Sequence, residues 1–494
     1  MQLYDKDLLS MQEVRELVEA AKEAQKELAN MSQSQVDHIV RAIADAGVRN
    51  ARRLAEMAHE DTGFGKVEDK IIKNIFGSRG VYEYVKDMKT VGELERDEEK
   101  KVRTIAVPVG VIAGLVPSTN PTSTALYKAE IAIKAGNAIV FSPHPTALRC
   151  ISETVKVIRQ AISEAGGNEN LVSCITIPTM EATDNLMRHR DVAMILATGG
   201  SAMVRAAYSS GTPAIGVGPG NGPAYLEKTC DLPLAVKRIM DSKTFDNGTI
   251  CASEQSIICD EDMVPAVRAE MEKQGAYFLN ESEREKLGRY ILRANGTMNP
   301  EIVGRSVETI ARLAGLTDVP ATARVLVAAE DGVGRGHPYS NEKLAPILAF
   351  YTGTDYKDVC EKVCTILRYV GAGHTFSMHT KNDEMVDYFA KRVPASRIMV
   401  NTPSALGGIG GTTGLMPALT LGCGAVGGSA TSENVGPMQL LNTRKVAYGL
   451  KELEDIRASV PDCSDGICRV RGGDLSTADV EDIVRAIMAR LQNA

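Results

Sequence analysis

The stretch VIAGLVPSTNP at residues 111–121 decides the fold class. Its first half is an apolar run that ends at Pro117, and its second half consists of small polar turn residues. An alanine-rich segment with helical spacing follows at residues 124–135, and a second apolar run begins at Ala138. Apolar strands that alternate with helices are typical of a parallel sheet covered on both faces. We therefore predict an α/β fold.

The alternation of strands and helices continues to residue 208. The pattern predicts strands near 138–141, 172–177 and 193–197, and helices near 147–165, 181–189 and 202–208. Ligands of parallel sheets bind beyond the carboxyl ends of the strands. Three polar turns stand at those ends, at residues 117–120, 142–145 and 198–201. We expect functional residues at these turns.

Helices are predicted ahead of this sheet. Ser10 and Glu13 have the spacing of a capping box before an apolar helical face. A second helix is predicted from about Gln33 to Glu60. Residues 102–107 alternate loosely like an exposed strand, which Pro108 ends because proline cannot donate to a strand ladder.

A similar α/β pattern resumes at residues 231–419, without an internal repeat, and the end of the sequence then changes in character. Residues 459–474 mix Pro, Gly, Asp and Ser with two cysteines, which predicts a linker. The segment after it has apolar residues at helical spacing, namely Val480, Ile483, Val484, Ile487, Met488 and Leu491. Such a helix needs a partner for its apolar stripe, either its own enzyme or another protein.

The composition narrows the class of protein. The net charge of −7 argues against binding nucleic acid through phosphates, and the absence of Trp argues against a base-stacking surface. Apolar runs are too short to span a membrane, and no secretory signal opens the sequence. The ten cysteines show no repeated spacing, which indicates reduced cytoplasmic thiols. We predict a soluble cytoplasmic enzyme that binds neither nucleic acid nor membrane.

Cys251 is the candidate nucleophile. It lies in the segment FDNGTICASEQ at residues 245–255, where small polar neighbours suit a thiol held at a turn. A thiolate attacks carbonyl carbon readily when its pKa falls or a base assists. On spacing alone, a small core residue is the more ordinary interpretation of one cysteine among ten.

Other candidates stand at the predicted strand ends. Asn120 can donate to a developing oxyanion, or it can simply cap the next helix. The turn at residues 198–201 is of a type that approaches phosphates. His144 and His374 are lone histidines, which more often have structural roles. Cys360 and Cys364 lack a matching His pair, so no metal site is predicted.

Taken together, these motifs resemble the CoA-acylating branch of the aldehyde dehydrogenases, similar to the propionaldehyde and acetaldehyde dehydrogenases of bacterial microcompartments. The resemblance covers residues 5–450. Its most specific parts are DNGTIC at 246–251, FSPHP at 141–145 and GCGAVGGSATSENVG at 422–436.

The resemblance implies roles for individual residues. The family's nucleophile falls on Cys251, its oxyanion amide on Asn120 and its ribose-binding glutamate on Glu342, while His374 is a candidate to assist the thiol step. The implied cofactor-binding residues are Ser118, Thr119, Ser142, Pro143, His144, Thr198, Gly199, Gly200, Ser201, Gly218, Glu342 and Pro346.

Two departures from the family pattern are informative. Hydrolytic members carry a water-activating glutamate at the position that Val217 occupies here. A valine cannot accept a proton, so a thioester on the enzyme would persist until the thiol of coenzyme A attacks it. In addition, Ser142 or Pro143 stands where many members have a cofactor-binding lysine, which favours NAD over NADP.

The resemblance also implies an architecture of two doubly wound parallel-sheet domains with a small oligomerisation arm. The implied parts are a nucleotide-binding domain at 1–219 with 97–109 in the arm, a catalytic domain at 220–419, a return segment and oligomerisation strand at 420–451, a linker at 452–474 and an amphipathic helix at 475–494. The arm would pair residues 102–107 with residues 446–450 and close a sheet between subunits of a homodimer or homotetramer. The terminal helix resembles the encapsulation peptides that bind shell proteins inside a bacterial microcompartment.

The predicted reaction is ping-pong oxidation of a short-chain aldehyde, propionaldehyde or acetaldehyde, with NAD and coenzyme A to acyl-CoA and NADH. Two alternatives stay open. A hydrolytic aldehyde dehydrogenase would release the free acid, and a non-catalytic scaffold would use the fold only to present its terminal helix.

Overall fold

The computed structural model describes residues 5–293 and 296–459, together with residues 484, 485 and 488. The described chain divides into two compact units. The first comprises the residues up to Gly92 and the segment Ala106–Thr443, and the second comprises Glu93–Ile105 and the described residues from Arg444 onward.

The α-helices of the described residues are numbered in chain order. They are α1 (Lys6–Leu28), α2 (Gln33–Arg49), α3 (Ala51–Thr62), α4 (Val67–Ile75), α5 (Val81–Val85), α6 (Pro121–Lys134), α7 (Leu148–Glu164), α8 (Met180–Met187), α9 (Ser201–Ser209), α10 (Leu232–Thr244), α11 (Val264–Lys273), α12 (Glu281–Ile291), α13 (Val307–Ala314), α14 (Tyr356–Tyr369), α15 (Asp383–Ala390), α16 (Ser404–Gly408) and α17 (Leu453–Ser459).

The strands are numbered in the same way. They are β1 (Glu93–Asp97), β2 (Val102–Pro108), β3 (Val111–Val116), β4 (Ala138–Pro143), β5 (Val172–Cys174), β6 (Val192–Thr198), β7 (Ala214–Val217), β8 (Gly222–Leu226), β9 (Glu254–Asp260), β10 (Ala276–Phe278), β11 (Val325–Ala329), β12 (Ile347–Gly353), β13 (Gly373–His379), β14 (Ala395–Val400) and β15 (Leu441–Ala447).

A five-stranded parallel sheet with the order β5-β4-β3-β6-β7 confirms the predicted α/β fold. The chain winds outward from β3 to β5 and then returns to build β6 and β7 on the other side, as in doubly wound sheets. The register pairs Val116 with Pro143 and Thr198 with Val217. The predicted polar turns therefore begin along one edge of this sheet.

A second parallel sheet of seven strands has the order β10-β11-β12-β9-β8-β13-β14. Its central strands bury side chains on both faces, because neighbours along a strand point to opposite sides. Ile257 and Leu348 pack into one hydrophobic cluster, whereas Ile258 and Ala349 pack into another. The chain passes from the first sheet to the second between Val217 and Gly222.

The second unit contains a small antiparallel pairing of β1 with β2, and β15 flanks β2 on its other side. The predicted pairing of residues 102–107 with the chain near residue 446 is thus present within one chain. Lys445 Nζ donates to Thr104 Oγ1 at 2.5 Å, and the backbone N–H of Tyr448 donates to the carbonyl of Lys101 at 3.1 Å. Closure of this sheet between subunits stays a prediction, as do the domain boundaries.

Three local predictions need correction. Ser10 lies inside α1, which Asp5 caps by accepting from two backbone N–H groups, and the capping box is instead formed by Ser32 and Gln35 at the start of α2. The helix predicted from Gln33 to Glu60 is broken at Asn50, which leaves the helical backbone conformation. The segment 452–474 begins with α17 because no Gly or Pro interrupts residues 453–459.

The rest of the predicted linker and the apolar stripe of the terminal helix lie outside the described residues, apart from residues 484, 485 and 488. In the described part of the chain, no helix has both the length and the apolar character that crossing a bilayer requires.

Candidate active site

A cavity of about 420 Å³ lies at the carboxyl ends of β3, β4, β6 and β7. It brings together most of the residues that the sequence singled out. Those that line it are Ser118, Thr119, Asn120, Ser142, Pro143, His144, Thr198, Gly199, Gly200, Gly218, Cys251 and Glu342. Residues far apart in the sequence thus meet where parallel sheets bind ligands.

Cys251 follows a tight turn in an unusual backbone conformation. Asp246 and Asn247 have φ angles of 46° and 51°, and Gly248 follows with a φ of 76°. Asp and Asn tolerate the left-handed region better than other side chains that carry a Cβ. Asn247 Nδ2 also donates to the carbonyl of Gly304 at 3.0 Å, which holds the turn from outside. The turn presents Cys251 half-buried at the cavity wall.

The thiol of Cys251 is held in its neutral form. Burial raises the pKa of Cys251 to about 12, and the nearby Glu342 carboxylate adds to the increase. Both effects disfavour the thiolate, because burial removes solvation and a like charge repels it. Cys251 therefore needs a proton acceptor, or a change in its surroundings, before it can act as a nucleophile.

The side chain of Asn120 does not cap α6, although the residue occupies the N-cap position. Its Oδ1 accepts a hydrogen bond from the ammonium group of Lys73. Its Nδ2 donates to Thr119 Oγ1 at 3.2 Å and lies 3.4 Å from the carbonyl of Thr249, two residues before Cys251. The simple capping interpretation of Asn120 is therefore wrong, and its amide N–H faces the segment that carries the thiol.

Glu342 is half-buried in the cavity wall, and its Oε1 accepts a hydrogen bond from the backbone N–H of Gly220 at 2.9 Å. Burial raises the pKa of Glu342 to about 8, against the opposing effects of that hydrogen bond and of two neighbouring lysines. Among the cavity-lining residues, all of which belong to the described part of the chain, Glu342 has the only carboxylate.

Val217 ends β7 and lines the same cavity as Cys251. Its side chain is buried, and it can neither accept a proton nor orient a water molecule. Glu342, the only carboxyl group that lines the cavity within the described residues, is mostly protonated below pH 8 and is then unable to activate a water molecule that attacks a thioester.

His374 lies behind the cavity wall and is fully buried. A methyl group built on Gly220 would meet both the carbonyl oxygen of Cys251, at 2.0 Å, and Cε1 of His374, at 3.2 Å. His374 Nδ1 pairs with Thr375 Oγ1 at 2.9 Å, and Nε2 has no hydrogen-bond partner within the described residues. Burial and the charge of Arg397 lower the pKa of His374 to about 3, so the ring is neutral.

The far end of the cavity has the character of a phosphate-binding turn. A Cβ built on Gly200 or on Gly218 would meet no atom within 4 Å, so both glycines leave open space for a ligand. Gly200 occupies the N-cap position of α9 without a side-chain cap, and Ser201 opens that helix. The first backbone N–H groups of a helix without such a cap are available to an anion.

Two of the predicted cofactor-binding residues differ from expectation: Pro346 lies outside the cavity, and the Ser142 hydroxyl is held by another side chain. Pro346 lines a second cavity of about 690 Å³ together with residues such as Lys66 and Arg324, so its assignment to the cofactor site is not supported. Its carbonyl accepts from the backbone of Leu326, which ties it to the seven-stranded sheet. Ser142 does line the candidate site, but its hydroxyl pairs with Thr183 Oγ1 at 2.8 Å.

Sequence reasoning missed the buried charges beneath Asn120. Lys70, Lys73 and Asp246 form a cluster whose side chains are almost completely buried. The only sequence signal is the spacing of Lys66, Lys70 and Lys73, and lysines at helical spacing normally indicate a solvent-exposed face.

Outside the site, Glu330, Asp331 and His337 each have a side-chain atom that could bind a metal ion, and these three atoms lie within 4.8 Å of one another. His337 Nδ1 pairs with Glu330 Oε1 at 2.7 Å.

Comparison with known proteins identifies the family. The sequence profile of the aldehyde dehydrogenase family matches residues 4–286. The chain is 44% identical over 440 residues to the bifunctional aldehyde-alcohol dehydrogenase AdhE of Escherichia coli (strain K12), which covers 88% of this chain and 49% of that protein. The chain therefore spans about half the length of this relative. It is also 37% identical over 439 residues to the succinate-semialdehyde dehydrogenase (acetylating) of Clostridium kluyveri, which covers 89% of this chain and 96% of the relative.

Solved structures agree with these relatives. A probable aldehyde dehydrogenase from Listeria monocytogenes is 62% identical with a TM-score of 0.91, covering 92% of this chain and 100% of that one. An acetylating aldehyde dehydrogenase from Geobacillus thermoglucosidasius is 50% identical with a TM-score of 0.90, covering 91% and 99%. A propionaldehyde dehydrogenase from the fucose utilisation bacterial microcompartment of Clostridium phytofermentans is 28% identical with a TM-score of 0.80, covering 88% and 97%.

Proposed function

The chain belongs to the aldehyde dehydrogenase family, among its CoA-acylating members, and we propose that it oxidises a short-chain aldehyde to acyl-CoA with NAD and coenzyme A. The observation that carries this proposal is the combination of Cys251 and Val217 in one cavity. A nucleophile that can form a thioester shares this cavity with a valine, where a hydrolytic enzyme needs a general base.

The first half of the reaction forms a covalent adduct on the chain. Cys251, once deprotonated, adds to the aldehyde carbon, and the carbonyl oxygen becomes an oxyanion. Asn120 Nδ2 then donates a hydrogen bond to this oxygen, together with a backbone N–H near Cys251. Such donors stabilise the charge that develops in the transition state and are worth about 10²–10³ in rate.

The polar end of the cavity fits a dinucleotide. The uncapped start of α9 and the open space at Gly200 and Gly218 suit a pyrophosphate, and Glu342 offers a carboxyl oxygen to a ribose hydroxyl. NAD bound there would supply the acceptor for the hydride that leaves the carbon of the Cys251 adduct, and loss of this hydride leaves a thioester on Cys251. Among the cavity-lining residues, which all lie in described segments, none is a lysine or arginine that would pair with a 2′-phosphate, and this supports NAD over NADP.

The second half of the reaction transfers the acyl group. With Val217 unable to activate water, the thioester on Cys251 persists until the thiol of coenzyme A attacks its carbonyl carbon. A new carbon–sulfur bond forms to coenzyme A, the bond to Cys251 breaks, and the Cys251 thiol is regenerated after it takes up the proton. His374 is the candidate to assist this proton movement only after a change in its surroundings, because its Nε2 has no hydrogen-bond partner within the described residues but its lowered pKa makes the buried ring a weak proton acceptor.

Rapid mixing of the enzyme with acetaldehyde or propionaldehyde and NAD tests the proposal. Without coenzyme A we expect a burst of NADH close to one per Cys251 site, followed by slow turnover, because the thioester accumulates. Addition of coenzyme A should restore steady turnover and produce acyl-CoA. Cys251→Ala should abolish the burst and leave the thermal unfolding profile intact.

Two other outcomes would select the alternatives. Sustained production of free acid without coenzyme A would identify a hydrolytic enzyme, and a folded wild-type protein without any burst would identify a scaffold.

We propose in addition that residues 475–494 bind a shell protein of a bacterial microcompartment. The support is the apolar stripe at helical spacing and the microcompartment origin of the Clostridium phytofermentans relative. Deletion of residues 474–494 should leave kcat and KM nearly unchanged, and fusion of the segment to a fluorescent protein should transfer shell binding. The pair Ile483→Asp and Ile487→Asp should mimic the deletion, because it places carboxylates in an apolar groove. Loss of activity or of the oligomer on deletion would show that the segment packs on its own enzyme.

A further inference from the structure

Helix α4 buries lysines beneath the candidate active site. Lys70 and Lys73 are 3% and 2% exposed, whereas Ile72 on the same helix is 52% exposed. Burying an ammonium group costs free energy unless it is paired and hydrogen-bonded. Both ammonium groups contact one carboxylate oxygen, Oδ2 of Asp246.

Lys73 reaches beyond this carboxylate to the active site. Its ammonium group donates to Oδ1 of Asn120 and, at 3.1 Å, to Oγ1 of Thr249. Thr249 in turn contacts Oδ2 of Asp246 at 2.8 Å. Asn120 and Thr249 both line the cavity that contains Cys251, so Lys73 connects the buried pair to the cavity wall.

The cluster carries an excess of positive charge when both lysines are protonated, because two ammonium groups share one carboxylate. Burial lowers the pKa of Lys73 to about 8, against the opposing attraction of Asp246. At pH 7 most of Lys73 is therefore an ammonium ion, which donates hydrogen bonds and cannot accept them.

We propose that Lys73 is a positioning residue that fixes the orientation of the Asn120 carboxamide, so that its N–H group and not its oxygen faces the reacting carbonyl. This inference rests on the proposed function, in which Asn120 stabilises the oxyanion. A carboxamide has an acceptor at one end and donors at the other, and a half-turn of the amide exchanges them. Since the ammonium of Lys73 binds only the oxygen end, the donor end is directed elsewhere, toward Thr119 and Thr249.

Within the described residues, no hydrogen bond other than that from Lys73 fixes the side-chain oxygen of Asn120, and this side chain does not cap α6. An amide turned the other way would present an acceptor to a developing negative charge and would oppose catalysis. Loss of Lys73 should therefore reduce the rate of acyl-enzyme formation through Asn120.

The arrangement also makes the test practicable. Lys73→Met leaves Lys70 and Asp246 as a one-to-one ion pair, so the substitution does not strand a buried charge. Lys73→Gln serves as a rescue variant, because its amide keeps a neutral donor and should therefore retain more of the rate than Lys73→Met. Lys134→Met is a matched control, since Lys134 is equally buried but pairs with Asp37 at 2.5 Å, outside the cavity-lining residues.

The experiment is a double-mutant cycle between Lys73 and Asn120. The measured quantity is the single-turnover rate constant of NADH formation with saturating aldehyde and NAD, without coenzyme A. In the enzyme that keeps Asn120, we expect Lys73→Met to lower this rate constant about tenfold to hundredfold. In the Asn120→Ala background the same substitution should lower it by less than about threefold, because coupled residues are non-additive.

Thermal unfolding and the KM for NAD complete the test. We expect KM for NAD to stay within about twofold of wild type in Lys73→Met, and Lys134→Met to retain the wild-type rate constant within the same factor. If Lys73→Met does not fold, Lys73→Ala, which likewise removes the donor to Oδ1 of Asn120, takes its place in the cycle. An equal fold-loss in both Asn120 backgrounds would overturn the proposal. A wild-type enzyme without aldehyde-dependent NADH formation would instead reject the proposed function, and the two failures are thus distinguishable.

Discussion

The carboxyl group of Glu342 accepts a hydrogen bond from the backbone N–H of Gly220 at 2.9 Å, which ties it to the segment between the two parallel sheets. Glu342 also disfavours the thiolate of Cys251, because the ionised carboxylate would lie near a second negative charge. The pKa of Glu342 is itself raised to about 8 by burial. The two groups therefore influence each other in a pH range that is accessible to experiment.

Glu342→Gln should increase the reactivity of Cys251 only at alkaline pH. Below pH 7 Glu342 is largely protonated, so its replacement by a neutral amide changes little. Above pH 8 the wild-type carboxylate is ionised and raises the pKa of Cys251, whereas the amide does not. We expect alkylation of Cys251 by iodoacetamide to be about threefold faster in the variant at pH 9, because loss of the carboxylate charge lowers the pKa of the thiol.

Mass spectrometry of the peptide that contains Cys251 measures this rate, and Cys230 provides the internal control. Burial, Glu227 and Asp231 set the raised pKa of Cys230, and none of these causes changes in the variant. Its alkylation should be the same in both proteins. Equal alkylation of Cys251 at pH 9 in wild type and variant would show that Glu342 does not control the thiol.

Where strand ends determine the geometry, the sequence predicted which residues share the cavity. The apolar runs predicted at 111–116 and 138–141 lie in adjacent parallel strands, and the register of these strands brings the following turns to one edge. Asn120 and Ser142 therefore line one cavity, as expected from the strand pattern alone. The position of Cys251 required the family resemblance, because its spacing alone did not separate it from the other nine cysteines.

The buried charges could not be predicted in the same way. Lys70 and Lys73 repeat at helical spacing, which indicates a solvent-exposed face, while Ile72 and Ile75 indicate a buried one. The structure reverses both, because Asp246 is brought against α4 from a segment about 170 residues away in the sequence and pairs with the lysines. Only tertiary contacts reveal this inversion. The assignment of Pro346 to the cofactor site is unsupported for a related reason. Glu342, four residues earlier, lines the cavity, whereas the carbonyl of Pro346 is hydrogen-bonded to β11.

Val217→Glu should not produce sustained hydrolysis at pH 7. Val217 is 3% exposed, so a carboxyl group there would be desolvated and would have a raised pKa, as Glu342 does. A protonated carboxyl group cannot activate water. We expect release of free acid without coenzyme A to stay near the wild-type level at pH 7 and to increase between pH 7 and pH 9, as the new group ionises.

The neutral isostere Val217→Gln is the control for this experiment. It introduces similar bulk and polarity without a titratable group, so its free-acid release should not follow the same increase with pH. Free acid is quantified directly, alongside NADH, at each pH. Rapid hydrolysis by Val217→Glu at pH 7 would contradict the expectation and would show that this position alone decides between water and coenzyme A.

Gly220→Ala should reduce kcat through the backbone of Cys251. The φ angle of Gly220 lies outside the left-handed region, so alanine is conformationally allowed there, but its methyl group would lie 2.0 Å from the carbonyl oxygen of Cys251. Either the backbone at Gly220 or the backbone at Cys251 must therefore move. Overpacking of this kind costs about 1–3 kcal/mol of stability, and displacing a reacting group by one ångström can cost about a hundredfold in rate.

Gly414→Ala is the matched control for this substitution, because it adds the same methyl group at a glycine that also has no left-handed φ and has no neighbour within 4 Å of the new atom. We expect it to change the free energy of unfolding by less than about 0.5 kcal/mol and to leave kcat unchanged. Chemical denaturation and the NADH burst rate measure the two effects separately in each variant.

If Gly220→Ala loses stability but keeps the wild-type burst rate, the displacement is absorbed on the side of His374, whose Cε1 lies 3.2 Å from the added methyl. A loss of burst rate at least tenfold, with a folded protein, would place the displacement at Cys251 as expected, since the thiol must stay aligned with the amide of Asn120 for the oxyanion to be stabilised.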